Sequence, residues 1–360
     1  MRLAVLFLAL LFPFAAMAAQ DVTIKGKDFY LDGKPWLPKG VNAEGFIRPA
    51  LIPSGPKWMN DPASQKGRAL WSDRQIGAVK TVFGGNVIRF NISQAALDPQ
   101  SSIYDPKYRD ELVSIFQQTR KAGLVVIASM DAYPVAGLDG QSCMPDQGTA
   151  RAWKTLAPVL MRDEGILFEV FNEPCKNNWG AARTEWAAGM QQSLDVIRRL
   201  GATNVVLLDG LGYGQWSNYL FPLVHDSVAG RLAMSVHPYL DAMKNYPSTP
   251  PEAYFENHFG KDAVKYPIIA TEWNATEFGG CVDDRTPEIA LELMRYLQRL
   301  HIGLIGWAID SERGKLVKDH EHYVPTDYQT WHGCAQTLKG QPTPLVYSGG
   351  GSLLAKFPNN

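Results

Sequence analysis

Apolar and polar positions along this chain follow two rhythms in turn. Short apolar runs rich in β-branched residues occupy positions 86–90, 124–129, 166–171, 204–208, 232–236, 267–271 and 303–307. Runs of this length without strict alternation predict strands covered on both faces, as in a parallel sheet. Between them lie stretches with apolar residues three and four apart, the spacing of one helix face. In one, Asp105 caps the start, Pro106 takes the first helical position, and Tyr108, Leu112, Ile115, Phe116 and Thr119 share a face until Gly123 ends it. Residues 181–200 and 287–300 read as helices in the same way, the first stopped by Gly201. Ahead of this series, residues 22–37 read as a small hairpin turning at Asp32-Gly33.

The strand ends fall at Asn42, Arg89, Asp131, Glu173, Asp209, His237, Glu272 and Trp307, in steps of 28 to 47 residues. Each step has room for one strand-loop-helix-loop unit. Eight units predict an α/β fold, a (β/α)8 TIM barrel forming a single domain behind a short N-terminal β-hairpin. A doubly wound open sheet is the competing arrangement, but no GxGxxG or P-loop sequence supports it. The expected limits are 19–345 for the barrel and 346–360 for a short flexible tail, which contains Ser348-Gly349-Gly350-Gly351.

Residues 1–18 do not fit this pattern. Met1-Arg2 is a short cationic lead, residues 3–14 are almost wholly apolar, and Ala16-Met17-Ala18 supplies small residues before a cleavage point near Ala18. That is the layout of a secretory signal peptide, and it predicts a secreted or periplasmic protein. No later stretch approaches the length of a membrane span, so no membrane partner is expected. The net charge of −1 argues against nucleic acid. Four cysteines, Cys143, Cys175, Cys281 and Cys334, predict two disulfides in an exported chain. Three pairings are open, and neighbours in sequence, Cys143–Cys175 and Cys281–Cys334, are the expected ones. Their spacing does not resemble a zinc site, and no metal or cofactor is expected.

Catalysis on such a barrel sits at the C-terminal ends of the strands. Two apolar strands stop on a carboxylate there, Phe171-Asn172-Glu173-Pro174 and Ala270-Thr271-Glu272-Trp273. Either Glu alone is also what a strand meeting water would carry. Together, on a rim that also presents Arg89, His237, Tyr239 and Trp307, they form the pair that glycosidic cleavage requires. One carboxyl gives a proton to the leaving oxygen while the other attacks or stabilises the anomeric carbon.

These motifs, together with Leu31-Asp32-Gly33-Lys34-Pro35, Lys39-Gly40-Val41-Asn42, His237-Pro238-Tyr239 and Gly306-Trp307, resemble glycoside hydrolase family 5, the cellulase family. The resemblance runs from about Val22 to Ala308. It implies a retaining double displacement, with Glu173 as acid and then base and Glu272 as nucleophile. By the same resemblance Arg89 would hold Glu272, although Glu169 on the strand of Glu173 is an alternative partner. Asn172 would meet the sugar 2-hydroxyl, Tyr239 would orient Glu272, His237 would line the sugar pocket and Trp307 would lie under the sugar ring. Where the family usually carries a His at the end of strand three, this chain has Ser129-Met130-Asp131-Ala132-Tyr133, so Asp131 or Tyr133 stands in its place. Trp179 and Trp216, in the loops after strands four and five, are candidate stacking residues. The loop 311–334, with Trp331, is a candidate cleft wall.

The expected partner is a β-linked oligo- or polysaccharide, acted on by a monomer. An endo-β-1,4-glucanase is the first reading; a β-mannanase, an exo-β-glucosidase and a transglycosylase use the same residues. A metal-dependent barrel hydrolase would want more histidines at strand ends than His237 alone. A catalytically silent carbohydrate-binding protein would have no need for both glutamates.

Overall fold

The first three strands do not enter the barrel. In a computed structural model that describes residues 21–52, 66–240, 249–276, 281–282, 284–311, 316–328, 333–334 and 349–358, they form a separate antiparallel sheet. This sheet consists of β1 (Val22–Lys25), β2 (Asp28–Leu31) and β3 (Lys34–Pro35). The sequence pattern predicts a simple hairpin here; the additional turn comes at Gly26, whose φ of +65° suits glycine. The leader at 1–18 and Trp331 lie outside the described residues.

Eight parallel strands then close on themselves. They are β4 (Lys39–Ala43), β5 (Val87–Ser93), β6 (Val125–Asp131), β7 (Ile166–Glu169), β8 (Val206–Asp209), β9 (Leu232–Val236), β10 (Ile268–Ala270) and β12 (Gly303–Gly306). Two short segments, β11 (Cys281–Val282) and β13 (Gly333–Cys334), pair as an antiparallel ribbon outside the barrel, with Cys281 opposite Cys334.

The two-residue period of the strands sorts their side chains into an outer and an inner set. The outer set packs under the helices. Trp153, Phe168, Phe90 and Phe116 are fully buried there. The inner set changes character with height. Low in the barrel, Val87, Val125, Ile127, Leu167, Leu207, Ile269 and Ile305 pack together and against Val22, Ile24, Phe29 and Trp36 of the small sheet, which plugs the floor. Two or four positions further along the same strands, the inward residues are Arg89, Asn91, Ser129, Asp131, Glu169, Asp209, Ser235, His237 and Thr271, all buried. An apolar plug below and a polar layer above come from one periodicity.

The helices follow their signals. Asp105 accepts the Lys107 N–H at 2.9 Å, Pro106 opens the helix Pro106–Lys121, and Gly123 takes φ +79°. After β8, the shortest step, the helix is reduced to the single 3-10 turn Phe221–Leu223. Among the described residues no helix is long and apolar enough to cross a membrane.

The expected flexible tail is overturned. Gly350–Lys356 is a helix, with Leu354 and Phe357 buried against the barrel. Glycines that suggest looseness in sequence are here sites of close approach. A Cβ on Gly349 would lie 2.2 Å from the Tyr328 ring, and one on Gly351 would lie 2.1 Å from the Leu316 carbonyl oxygen.

Candidate active site

The polar layer is organised around one cation. Arg89 has no exposed surface. Its Nε donates to Glu169 at 2.5 Å, its Nη1 to Glu272 at 2.9 Å and Asn42 at 2.9 Å, and its Nη2 to Asn172 at 2.7 Å and Ser129 at 2.9 Å. Both sequence readings of Arg89 therefore hold at once. A planar guanidinium with five fixed donors suits such a junction better than an ammonium does. Glu169 also accepts from Ser235 at 2.5 Å and Thr271 at 3.1 Å. Burial alone would lift its carboxyl, yet Arg89 holds it below the ordinary carboxylate range.

Glu272, just beyond β10, is aimed from two sides. Arg89 holds one oxygen, and Tyr239 Oη donates to the other at 2.7 Å. Glu173, beyond β7, sits in a left-handed conformation at φ +53°. Its backbone N–H donates to Asp209 at 2.7 Å, and its carbonyl accepts from Tyr133 Oη at 2.9 Å. Its carboxyl meets His237 Nδ1 at 2.9 Å. The same ring nitrogen is 3.8 Å from Glu272, and His237 Nε2 is 3.5 Å from Asp209. One oxygen of each catalytic candidate and a nitrogen of His237 lie within 4.8 Å of one another.

These contacts set the proton affinities. Burial raises the Glu173 carboxyl, the His237 hydrogen bond opposes the rise, and the charge of Glu272 adds to it. For His237, burial disfavours the cation, but Asp209, Glu272 and Glu173 outweigh it and push the imidazole up to about 9. Asp131 is pushed up to about 7 by burial, although Tyr133 N–H and Asn91 bond it.

A cavity of about 570 Å3 opens over these groups. Glu173, Glu272, Asn172, Asp131 and Trp307 line it, with Tyr133, Tyr213, Glu44, Arg48 and Asp310. Trp307, expected under the sugar ring and followed by a cis peptide bond, lies on the cavity wall. His237 is not: it is fully buried behind the two carboxylates, because Glu173, Glu272 and Asp209 all face its ring. Trp179 and Trp216 do not reach the cavity wall either. Trp216 packs on His258 with ring centroids 3.7 Å apart, and Trp179 leans on Trp216 at 6.3 Å.

At the strand-three position both suggested residues take part. Asp131 accepts from Asn172 at 3.1 Å, and Tyr133 bonds the backbone of Glu173. The sequence reading did not single out Asp209 or Tyr213. Asp209 carried a signal, a carboxylate closing the run Val205 to Leu208. Tyr213, in a loop, carried none.

Glu169, Asp209 and His237 bring ligand atoms within 4.8 Å of one another, as do Glu173, His237 and Glu272. Both sets are engaged with each other and with Arg89. The expected Cys143–Cys175 disulfide is formed, with Cα atoms 5.5 Å apart, immediately after Glu173-Pro174.

Comparison with known proteins agrees with this geometry. The family model described as cellulase, glycosyl hydrolase family 5, matches residues 53–313. Among solved structures, a β-glucanase from Saccharophagus degradans in complex with cellotetraose is similar at 18% identity. That match covers 85% of this chain and 90% of that one, with a TM-score of 0.65. The catalytic domain of an endoglucanase from Thermobifida fusca matches at 15% identity, covering 94% and 97%, with a TM-score of 0.63. The major endoglucanase of Xanthomonas campestris matches at 18% identity, covering 84% and 96%, also at 0.63. At these identities the structural likeness is one of fold.

Proposed function

This chain belongs to glycosyl hydrolase family 5, the cellulase family, and from that premise we propose that it is a retaining endo-β-1,4-glucanase. The observation that carries the reading is the spacing of two carboxylates. An oxygen of Glu173 and one of Glu272 lie within 4.8 Å at the cavity floor. Carboxyls about 5 to 5.5 Å apart leave no room for a water between nucleophile and sugar, whereas inverting enzymes need about 6.5 to 9.5 Å.

The steps follow from the contacts. Glu173, its carboxyl raised by burial, carries the proton and gives it to the glycosidic oxygen as that bond breaks. Glu272, held by Arg89 and Tyr239, attacks the anomeric carbon and forms a glycosyl ester. Ester formation consumes the negative charge that had helped keep Glu173 protonated, so Glu173 becomes the base that takes a proton from water. That water cleaves the ester and restores both groups. Trp307 offers an apolar face beneath the sugar. Asn172, fixed between Arg89 and Asp131, meets the 2-hydroxyl. A β-1,4-glucan is the favoured substrate because the similar Saccharophagus degradans enzyme was solved with cellotetraose. The same reading takes the apolar leader ending near Ala18 as an export signal, so that the enzyme meets polysaccharide in the periplasm or medium.

The test is reducing-sugar release on carboxymethylcellulose, mixed-linkage glucan, mannan and xylan, with Glu272→Ala alongside. Turnover on glucan that drops at least ~10^4-fold in the variant is expected, the scale of deleting a nucleophile. Azide should then restore turnover on an aryl glycoside and give product of inverted configuration. Full activity in Glu272→Ala would sink the assignment.

A further inference from the structure

We propose that Asp131 is a positioning residue that turns two amides, Asn91 and Asn172, into a matched pair of donors for neighbouring hydroxyls of the sugar at the cleavage point. The proposal rests on the glucanase reading of this cavity. It concerns the strand end where the family usually carries a His.

Asn91 on β5, Asp131 on β6 and Asn172 just beyond β7 come from three consecutive strands, and all three line the cavity. They are 1%, 2% and 3% exposed, so their polar atoms face one another and the cavity. Two bridges run side by side from Arg89 to Asp131. In one, Arg89 Nη1 donates to Asn91 Oδ1 at 3.0 Å, and Asn91 Nδ2 donates to Asp131 Oδ2 at 3.3 Å. In the other, Arg89 Nη2 donates to Asn172 Oδ1 at 2.7 Å, and Asn172 Nδ2 donates to the same Oδ2 at 3.1 Å. The Tyr133 N–H holds the other oxygen of Asp131 at 2.8 Å.

This closed ring decides which way each amide points. A guanidinium only donates, and Asp131 accepts at all three of its contacts. Reversing either amide would set N–H against N–H at Arg89 and oxygen against oxygen at Asp131. Each amide has two N–H donors and gives one to Asp131, so one N–H of each has no further partner among the described residues. Buried donors in that state favour a ligand that supplies acceptors. Because both nitrogens sit on one carboxyl oxygen, the two remaining donors are neighbours. Adjacent ring hydroxyls of a glucose unit are a matching pair of acceptors. With Asn172 on the 2-hydroxyl, Asn91 falls to the 3-hydroxyl. Asp131 offers the sugar no donor of its own and acts through the amides.

The experiment compares an aryl β-cellobioside with two analogues that lack the 2- or the 3-hydroxyl of the sugar bearing the aryl group. The wild-type protein should hydrolyse each analogue about 10-fold less efficiently in kcat/KM, the worth of one hydrogen bond. In Asp131→Ala the amides lose their orientation, kcat/KM on the parent falls, and the penalty for either missing hydroxyl shrinks to about 2-fold or less, the mark of coupled groups. A residue that only packs would slow all three substrates equally and leave those ratios unchanged. If Asp131→Ala does not fold, Asn91→Ala carries the test: it should remove the penalty for the missing 3-hydroxyl and keep that for the 2-hydroxyl. Unchanged ratios in the variant that folds, or a wild-type protein indifferent to both hydroxyls, overturn the proposal while leaving the glucanase reading intact. A wild-type protein inactive on the parent cellobioside and on β-glucan overturns that reading and the proposal with it.

Discussion

At the floor of the barrel Lys39, the first residue of β4, reaches the C-terminal turn of the last helix; at the rim Arg89 lies among carboxylates. Both cations are buried, and both have all their partners inside the protein. Their partners differ in kind. Lys39 donates to the backbone carbonyls of Ala355, at 3.1 Å, and Phe357, where a helix end carries partial negative charge. Arg89 holds two ionisable carboxylates, one of them facing the cavity. At the floor the partners of the cation among the described residues are backbone carbonyls, which carry no proton to exchange. At the rim four carboxyls, from Glu169, Glu173, Asp209 and Glu272, face Arg89 and His237, and Asp131 joins them through Asn172. Such an excess of carboxylates in a dry site is where acid–base chemistry concentrates.

Arg89→Met tests the rim hardest. It leaves Glu169 buried without its counter-charge, a cost of about 3–5 kcal/mol, and it also frees Glu272. Thermal denaturation should show the lost stability, and kcat/KM on glucan should fall at least ~100-fold. Adding Glu169→Gln removes the stranded charge and should recover most of the stability without recovering turnover. If the double variant regains activity, the rim cation serves the fold alone and the contrast with Lys39 collapses.

A smaller effect is expected at Asp209, which holds the Glu173 N–H and faces His237. Asp209→Asn keeps the shape and an acceptor oxygen but removes the charge that most favours protonated His237, whose pKa falls from about 9. His237 touches the Glu173 carboxyl directly at 2.9 Å, whereas Asp209 reaches only its backbone, so the change in His237 dominates. A neutral His237 restrains the rise of Glu173 less, and the carboxyl shifts further up. Because the acid works while protonated, activity persists below its pKa and is lost above it. The alkaline limb of kcat/KM should therefore move to higher pH, while kcat drops about 10-fold or more, the scale of one hydrogen bond to a charged group. A uniform loss with an unmoved limb would make Asp209 a packing residue only.

What could be read in the sequence divides along the same line. Strand ends, the two glutamates, Arg89 and Trp307 were legible because a polar residue closing an apolar run is a local signal. Layered inward positions such as Ser129 and Ser235 follow the two-residue period but need the barrel before they acquire a meaning. His237 was expected at the pocket wall, yet which side of a carboxylate a ring takes depends on three other strands. The last helix was hidden for the opposite reason. Its glycines have no pattern of their own, and burial of Leu354 and Phe357 overrides their weak propensity.

Lys39 provides the smallest and most discriminating test. Lys39→Met strips the ammonium from the carbonyls of Ala355 and Phe357 and should cost about 1–3 kcal/mol for acceptors left unpaired. It touches nothing at the rim, so kcat and KM on glucan should stay at wild-type values. The stability difference should depend on pH in a defined direction. Burial lowers the folded Lys39 from its ordinary 10.5 to about 8. Between those values the unfolded chain holds a proton that the folded one has released, so the contribution of Lys39 to stability grows as pH rises through this window. Melting curves of the two proteins at pH 7, 8, 9 and 10 should therefore diverge with rising pH. Curves that stay parallel would mean that Lys39 is solvated as an ordinary surface lysine and that the floor buries no cation. A loss of turnover in a stably folded Lys39→Met would mean instead that the two ends of the barrel are coupled, and that rim chemistry depends on how the last helix is held.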